Sequence, residues 1–397
     1  MINTSPDLLN SIESLKLNFL ENAKRHDQKP SFPYQNFDQV IKYSLHTVNL
    51  PKEFGGENWN SQQTCKLIME LASGCSSTAL CLAMHYYSIG AFKNIFSREM
   101  QDCVFKDIEK NGRFIASIND PNIIFPHLQK DISESAKIRL NKTENGYLVN
   151  GIKTFISGFP CVHYLPVYGC IEENEGKGLG LTAVLTKLTD PGIKVDETWN
   201  YSGMRATMSY NVTFNNVFIP SDRLIGREGF GIEDTQDTIY WFRLALVSVY
   251  WGIAKTAYEH VKNLVKIKKD NISQKNFCHL PGVQFSIAEM RIKLEVAYNQ
   301  IMSCARQLDK ETIEKNLSAD LYTNTLITKQ YVTKTVNEIV WLAMQVEGSS
   351  SLQKGNLLER LYRDVRAAMF HPPAEDLLKE VIGKKELGII PFRNRWV

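Results

Sequence analysis

The hydrophobic pattern of this chain changes period twice, and that change limits the fold more than any single motif does. In the last third, Ile239, Phe242, Leu246, Val249, Ile253, Ala257, Val261 and Leu264 recur at steps of three and four. This is one apolar stripe along a helix. Ile287, Met290, Leu294, Tyr298, Ile301, Ala305 and Leu308 form a second stripe, and Val332, Val336, Ile339, Ala343 and Val346 a third. With a charged helix over 356–370, the spacing predicts a four-helix bundle. The middle third instead alternates polar and apolar residues, as in "KIRLNKTENGYLVNGIKTFISG". It carries Asn145-Gly146 and Asn150-Gly151, the dipeptide that most favours a tight hairpin turn. The first third reads helical again, with a Pro- and Gly-marked loop "LPKEFGG" at 50–56. The expected fold is therefore α+β multidomain: a helical N-terminal domain (1–112), an antiparallel β middle domain (113–225) and a C-terminal four-helix bundle (226–397).

Composition enters as an exclusion. With 46 basic and 43 acidic residues the net charge is only +3, so nothing points to nucleic acid. Eight cysteines are scattered without a Cys-x-x-Cys pair, and no His cluster has zinc spacing. No apolar run reaches the roughly 18 residues needed to span a bilayer, and "MINTSPDLLNSIESL" lacks the basic and apolar segments of a signal peptide. The expectation is a cytoplasmic enzyme with no membrane or nucleic-acid partner. Two glycine-rich words do not change this. "GKGLGLTAV" (176–184) precedes a strand instead of a helix, and "GREGFGIED" (226–234) opens a helix with no strand before it. A dinucleotide fingerprint needs both.

Four words occur in order: "LPKEFGG", "NGYLVNGIKTFISG", "GMRATMSYNVTFNNVFIPSDRLIG" and "LERLYRDVRA". Together they resemble the acyl-CoA dehydrogenase superfamily over nearly the whole chain. The resemblance implies FAD, a homodimer or homotetramer, and oxidation of the Cα–Cβ bond of an acyl thioester carried on CoA or an acyl carrier protein. It implies an electron-transfer flavoprotein or oxygen as electron acceptor. Carried over residue by residue, "ASINDP" implies that Ala116, Ile118 and Asn119 contact the flavin. "KTFISG" implies that Phe155 packs on its ring and Ser157 hydrogen-bonds near N5. "LAMQVEGSSS" implies that Gln345, Gly348 and Ser349 reach the FAD of a neighbouring subunit, and "QKNFC" that Phe277 does so too. Here the family's arginine is Gln274, with Lys275 beside it, and its second glycine is Ser349. "WFR" implies that Arg243 faces the substrate.

The largest departure lies in "RLYRDVRAAMFHPPAED". In common family members a glutamate here removes the α-proton, and its backbone N–H helps hold the thioester carbonyl. Counted from "RD", that position is Pro372, which supplies neither group. Some members carry the base just before the position of Arg243, and here that residue is Phe242. His371 is the remaining candidate base, suited to proton transfer near neutral pH, or it is a histidine that merely ends a helix. Glu375 and Asp376 are further candidates, although "PPAED" also reads as a helix start with acids in its first turn. The resulting expectation is a flavin-dependent acyl-thioester dehydrogenase with an atypical base. The alternatives are a flavin-dependent monooxygenase of the same fold and a weakly catalytic binder of acyl thioesters.

Overall fold

A computed structural model describes residues 6–121, 123, 136–171 and 180–389. Of the glycine-rich word 176–184, residues 176–179 therefore lie outside the described residues. Five helices come first: α1 (Pro6–Gln28), α2 (Tyr34–Lys42), α3 (Ser61–Gly74), α4 (Ser76–Phe92) and α5 (Arg98–Asn111). Helix α3 opens on a reciprocal cap, in which Asn60 Oδ1 accepts from the Gln63 N–H and the Gln63 side chain accepts from the Asn60 N–H. Helix α4 is buried along its entire length, as its all-round apolar and small-residue sequence requires.

The middle of the chain forms a sheet from β1 (Phe114–Ile115), β2 (Ile138–Thr143), β3 (Gly146–Ile156), β4 (Val162–Cys170), β5 (Leu181–Lys187), β6 (Ile193–Asp196), β7 (Tyr210–Pro220) and β8 (Leu224–Ile225). Its order is β6-β7-β3-β2-β4-β5-β8, with β1 beside β4. Most pairings are antiparallel, but β1 and β2 each run parallel to β4, so the sheet is mixed. The first Asn-Gly lies at the β2–β3 hairpin. The second is not a turn. Gly151 lies inside β3 at φ +125, where a Cβ would meet the Lys137 carbonyl oxygen at 2.1 Å, so glycine is required. Beside it the register shifts, and Asn150 exchanges two 2.9 Å hydrogen bonds with Asn216 across the bulge.

Five more helices follow: α6 (Asp237–Leu264), α7 (Pro281–Glu314), α8 (Ala319–Glu347), α9 (Leu357–Phe370) and α10 (Glu375–Glu386). Helix α6 is the hub and packs on α3, α4, α7, α8 and α9. Helices from both ends of the chain therefore share one buried cluster, which includes Phe19, Leu71, Leu82, Leu246, Val336 and Val365. Helix α9 ends where its sequence predicts. His371 is extended at φ −65, ψ 138, as a residue before proline must be, and α10 restarts after Ala374 with Glu375 and Asp376 in its first turn.

Candidate active site

A cavity of about 500 Å³ opens where the sheet, α4, α6 and α9 meet, a volume suited to a small organic ligand. One wall is the end of β3. A second bulge, between Lys153 and Ile156, re-aims the chain there. It leaves Phe155 at φ +57 with its side chain half exposed on the cavity wall. A left-handed conformation costs a non-glycine residue roughly 1–2 kcal/mol, and such strain gathers at functional sites. The Phe155 N–H donates to Asn211 Oδ1, which holds the bulge. Phe155 meets Trp199 and Tyr201 edge-on, and those two rings stack at 4.1 Å.

Two residues further, Ser157 and Ser209 are 2.9 Å apart, Ser209 and Thr207 2.8 Å, and Thr207 donates to the Met204 carbonyl at 2.9 Å. All four residues line the cavity. The floor is the extended segment after β1. Its pleat points Ser117 and Asn119 into the cavity, while Ala116 and Ile118 are buried against the sheet. The buried Lys153 ammonium fixes this floor by donating to the Ile118 and Asn119 carbonyls at 3.1 and 2.9 Å. Burial pushes its pKa down to about 8.

The opposite wall is α9 and the bend after it. Arg363 is anchored by Asp27, Glu359 and the Ser202 carbonyl. Asp364 is buried, accepts from the Met204 N–H at 2.6 Å and from Ser76 Oγ, and burial raises its pKa. These bonds clamp the "GMRAT" loop to α9, and the approach is close. A Cβ on Gly203 would lie 2.3 Å from the Arg363 carbonyl oxygen. Ala367, Phe370, His371 and Pro372 complete the wall.

His371 lies at the end of this wall. Its Nε2 is buried with no hydrogen-bond partner among the described residues, a group that calls for an explanation. Burial, helped by the positive charge of Lys329, pushes its pKa down to about 4, so the ring is neutral at neutral pH. Its backbone N–H is already engaged with the Ala367 carbonyl at 3.3 Å. It is therefore not free to hold a substrate carbonyl. Lys329 is itself buried and donates to the Pro373 carbonyl at 2.9 Å, and burial lowers its pKa to about 8. The described lining residues include neither Asp nor Glu. Glu375 and Asp376 stand outside the cavity, and Glu375 pairs with Lys379.

The other expected residues are placed differently. Arg243 does not line the cavity, whereas its neighbour Phe242 does. One helical step turns Arg243 about 100° away, into the bundle. There it donates to Thr325 Oγ1 at 2.8 Å and lies 4.7 Å from the Tyr322 ring centroid. This corrects the substrate-facing position inferred from sequence. Gln345, Gly348 and Ser349 are exposed at the far end of α8. Lys268 joins that end to Phe277, donating to the Glu347 carbonyl and lying over the Phe277 ring. None of these four lines the cavity within one chain. Sequence reasoning missed Ser117, Trp199, Tyr201, Ser209 and Lys329. Strand alternation signalled Ser117 in place of Ala116 and Ile118, but nothing local signalled the others.

Comparison with known proteins agrees with this architecture. Residues 13–101 match the acyl-CoA dehydrogenase N-terminal domain and residues 229–386 the acyl-CoA dehydrogenase C-terminal domain. The chain is 24% identical over 369 residues to an acryloyl-CoA reductase (NADH) of Anaerotignum propionicum, covering 91% of this chain and 89% of that one. It superposes on butyryl-CoA dehydrogenase of Megasphaera elsdenii with TM-score 0.84 and 17% identity, covering 98% and 100% of the two chains. It superposes equally, at TM-score 0.84 and 20% identity over 96% and 97%, on a dibenzothiophene monooxygenase from Paenibacillus sp. A11-2, which has also been solved with FMN bound. The chain belongs to the acyl-CoA dehydrogenase superfamily and is an oxidoreductase of that kind, which implies a flavin cofactor. The cavity fits such a group: aromatic rings suit a planar heterocycle, and Ser157, Asn119 and His371 offer polar atoms at its edge.

Proposed function

We propose that this protein is an FAD-dependent enzyme that oxidises the Cα–Cβ bond of an acyl thioester, on CoA or an acyl carrier protein, with His371 as the base. The observation that carries the reading is the unpartnered Nε2 of His371, held neutral in the same cavity as Phe155 and Ser157. A bound flavin would accept the hydride that leaves Cβ. His371 Nε2 takes the α-proton. A pKa of about 4 gives this imidazole the proton affinity of an ordinary carboxylate, so it replaces the family's glutamate without matching its charge. Phe155, Trp199 and Tyr201 would hold a flat ring. Pro372 offers no N–H and that of His371 is occupied. The thioester carbonyl thus loses the donor that the family's glutamate supplies.

Phe277, Gln345, Gly348 and Ser349 would serve the FAD of a neighbouring copy, in a homodimer or a tetramer built from two. The exposure of Gln345, Gly348 and Ser349 supports this, as does Trp341, 47% exposed on α8. Electrons would leave to an electron-transfer flavoprotein or to oxygen, in the cytoplasm.

The cavity's lack of a carboxylate among its described walls favours a second reading, a flavin-dependent monooxygenase. The experiment is anaerobic mixing of the flavin-loaded protein with a panel of acyl-CoA and acyl-carrier-protein thioesters. Bleaching of the flavin absorbance supports the first reading. No bleaching, with oxygen uptake when reduced flavin is supplied, overturns it in favour of the second. Neither response indicates a binder without turnover.

A further inference from the structure

Beside His371 stands a second polar atom with nothing to bond. Tyr250, on α6, is fully buried, and its hydroxyl has no hydrogen-bond partner among the described residues. A phenylalanine would fill the same space without the cost of burying an oxygen, so the hydroxyl needs a reason to be there. The rings of Tyr250 and His371 are neighbours, with centroids 5.8 Å apart at 49°. Their unpartnered atoms are thus close enough to meet directly or across one water. Tyr86 and His85 show the contrast. The Tyr86 hydroxyl is also unpartnered and its ring lies 5.7 Å from that of His85, but both His85 nitrogens are occupied, by the Ile115 N–H and the His46 carbonyl. Helical phase brings Tyr250 to His371. Tyr250 follows Arg243 by two turns and shares its face of α6, the face that meets α8 at Thr325. Lys329 follows Thr325 by one turn of α8 and holds the bend beyond His371 through the Pro373 carbonyl.

Taking the α-proton turns the neutral His371 ring into a cation with an N–H at each nitrogen. The described cavity lining has no Asp or Glu to receive it. Lys329, from α8, opposes the charge, and Asp364, from α9, acts on Tyr250 but is occupied by Ser76 and Met204. The Tyr250 oxygen has lone pairs and no other partner. We propose that the Tyr250 hydroxyl oxygen accepts the Nε2–H of the His371 imidazolium, which makes Tyr250 a positioning residue for the proton-transfer step. The inference rests on the reading of His371 as the base. The α-proton passes from Cα to Nε2, its bonding pair stays on carbon and forms the new double bond, and the hydride leaves Cβ for the flavin. Burial holds the phenol pKa well above its ordinary value, so Tyr250 keeps its own proton throughout. A bond that forms only as the proton arrives favours the transition state over the ground state. A hydrogen bond to a charged group is worth about tenfold or more in an equilibrium constant.

The test compares wild type, Tyr250→Phe, His371→Gln and the double variant. Tyr250→Phe removes one unpaired buried oxygen, so the fold is kept. In stopped flow it should slow thioester-driven flavin reduction about tenfold. It should add nothing in the His371→Gln background, because its effect runs through that ring. The second readout needs neither flavin nor substrate. NMR of ring-labelled histidine in the flavin-free protein should place the His371 titration about one pH unit lower in Tyr250→Phe than in wild type, since losing an acceptor disfavours the cation. Reduction at wild-type speed in Tyr250→Phe, with His371→Gln slow, overturns the proposal and leaves His371 as the base. Equal slowing by Tyr250→Phe in both backgrounds, which a packing role would give, also overturns it. Wild-type reduction in His371→Gln overturns both readings. If no thioester reduces the flavin, the titration decides: a lowered midpoint upholds the link between the two rings, and an unmoved one overturns it.

Discussion

The two walls of the cavity are built on opposite principles. The sheet-side wall is strained and open. Phe155 sits in a left-handed conformation with half its side chain exposed, and only the Asn211 amide and neighbouring rings steady it. The helix-side wall is buried and over-determined. Arg363 and Asp364 bind three other segments, and the buried Lys329 ammonium holds the bend at Pro373. The sheet side keeps the residue types of its family, an aromatic followed by a hydroxyl two positions later. The helix side is clamped by Arg363 and Asp364 and ends in His371. Within this wall the departure from the resemblance falls in the few residues beyond α9, where a helix end can present a new side chain without disturbing the clamp.

The largest effect should come from the changed residue. His371→Gln is expected to leave the fold and bound flavin in place, because the side chain lies beyond the last turn of α9. It should slow thioester-driven flavin reduction by about 100-fold or more, the usual scale of a lost general base. Stopped-flow reduction at wild-type speed would remove His371 from the mechanism and weaken the contrast between the walls.

Lys329→Met should show how firmly the helix-side wall is held. In the folded protein the Lys329 pKa falls to about 8 from an ordinary 10.5, so between those values the unfolded chain binds more protons and wild-type stability rises with pH. Below about pH 8 the folded state carries a buried ammonium, a penalty on the order of 1–3 kcal/mol. The loss of the bond to the Pro373 carbonyl partly offsets its removal. The methionine variant is therefore expected to gain stability at neutral pH, and its advantage should shrink as pH rises from about 8 to 10.5. Urea unfolding of both proteins across that window checks the sign. His371 works in the opposite part of the scale. Its folded pKa of about 4 lies below the ordinary 6.5, so stability should fall as pH drops from 6.5 towards 4, and less so in His371→Gln.

The smallest effect tests the strain on the sheet side. Phe155→Gly and Phe155→Ala both delete the ring, but only glycine accepts φ +57 without penalty. Phe155→Gly should be more stable than Phe155→Ala by about 1 kcal/mol in the flavin-free protein, and both should bind flavin more weakly. Equal melting temperatures would mean that Phe155 stores no strain, and the two walls would then differ less than their geometry implies.

The sequence by itself determined the element types, because periods of 3.6 and 2 are local properties that survive without neighbours. It also located the helix break at His371, since proline acts on the residue before it. The Arg-Asp word and the aromatic-x-hydroxyl word were legible for the same reason. Tertiary structure decided what depends on register and on distant partners. The sheet is mixed because β1 and β2 pair with β4 in parallel, which no local pattern encodes. The second Asn-Gly became a bulge because Gly151 must pass the Lys137 carbonyl. Arg243 turned from the cavity because helical phase, not adjacency to Phe242, sets direction. The hydroxyl chain and Lys329 appear only when segments dozens of residues apart converge, Ser157 with Ser209 and Lys329 with Pro373. A hydrogen bond's partner is a fact of three-dimensional distance, and sequence order does not contain it.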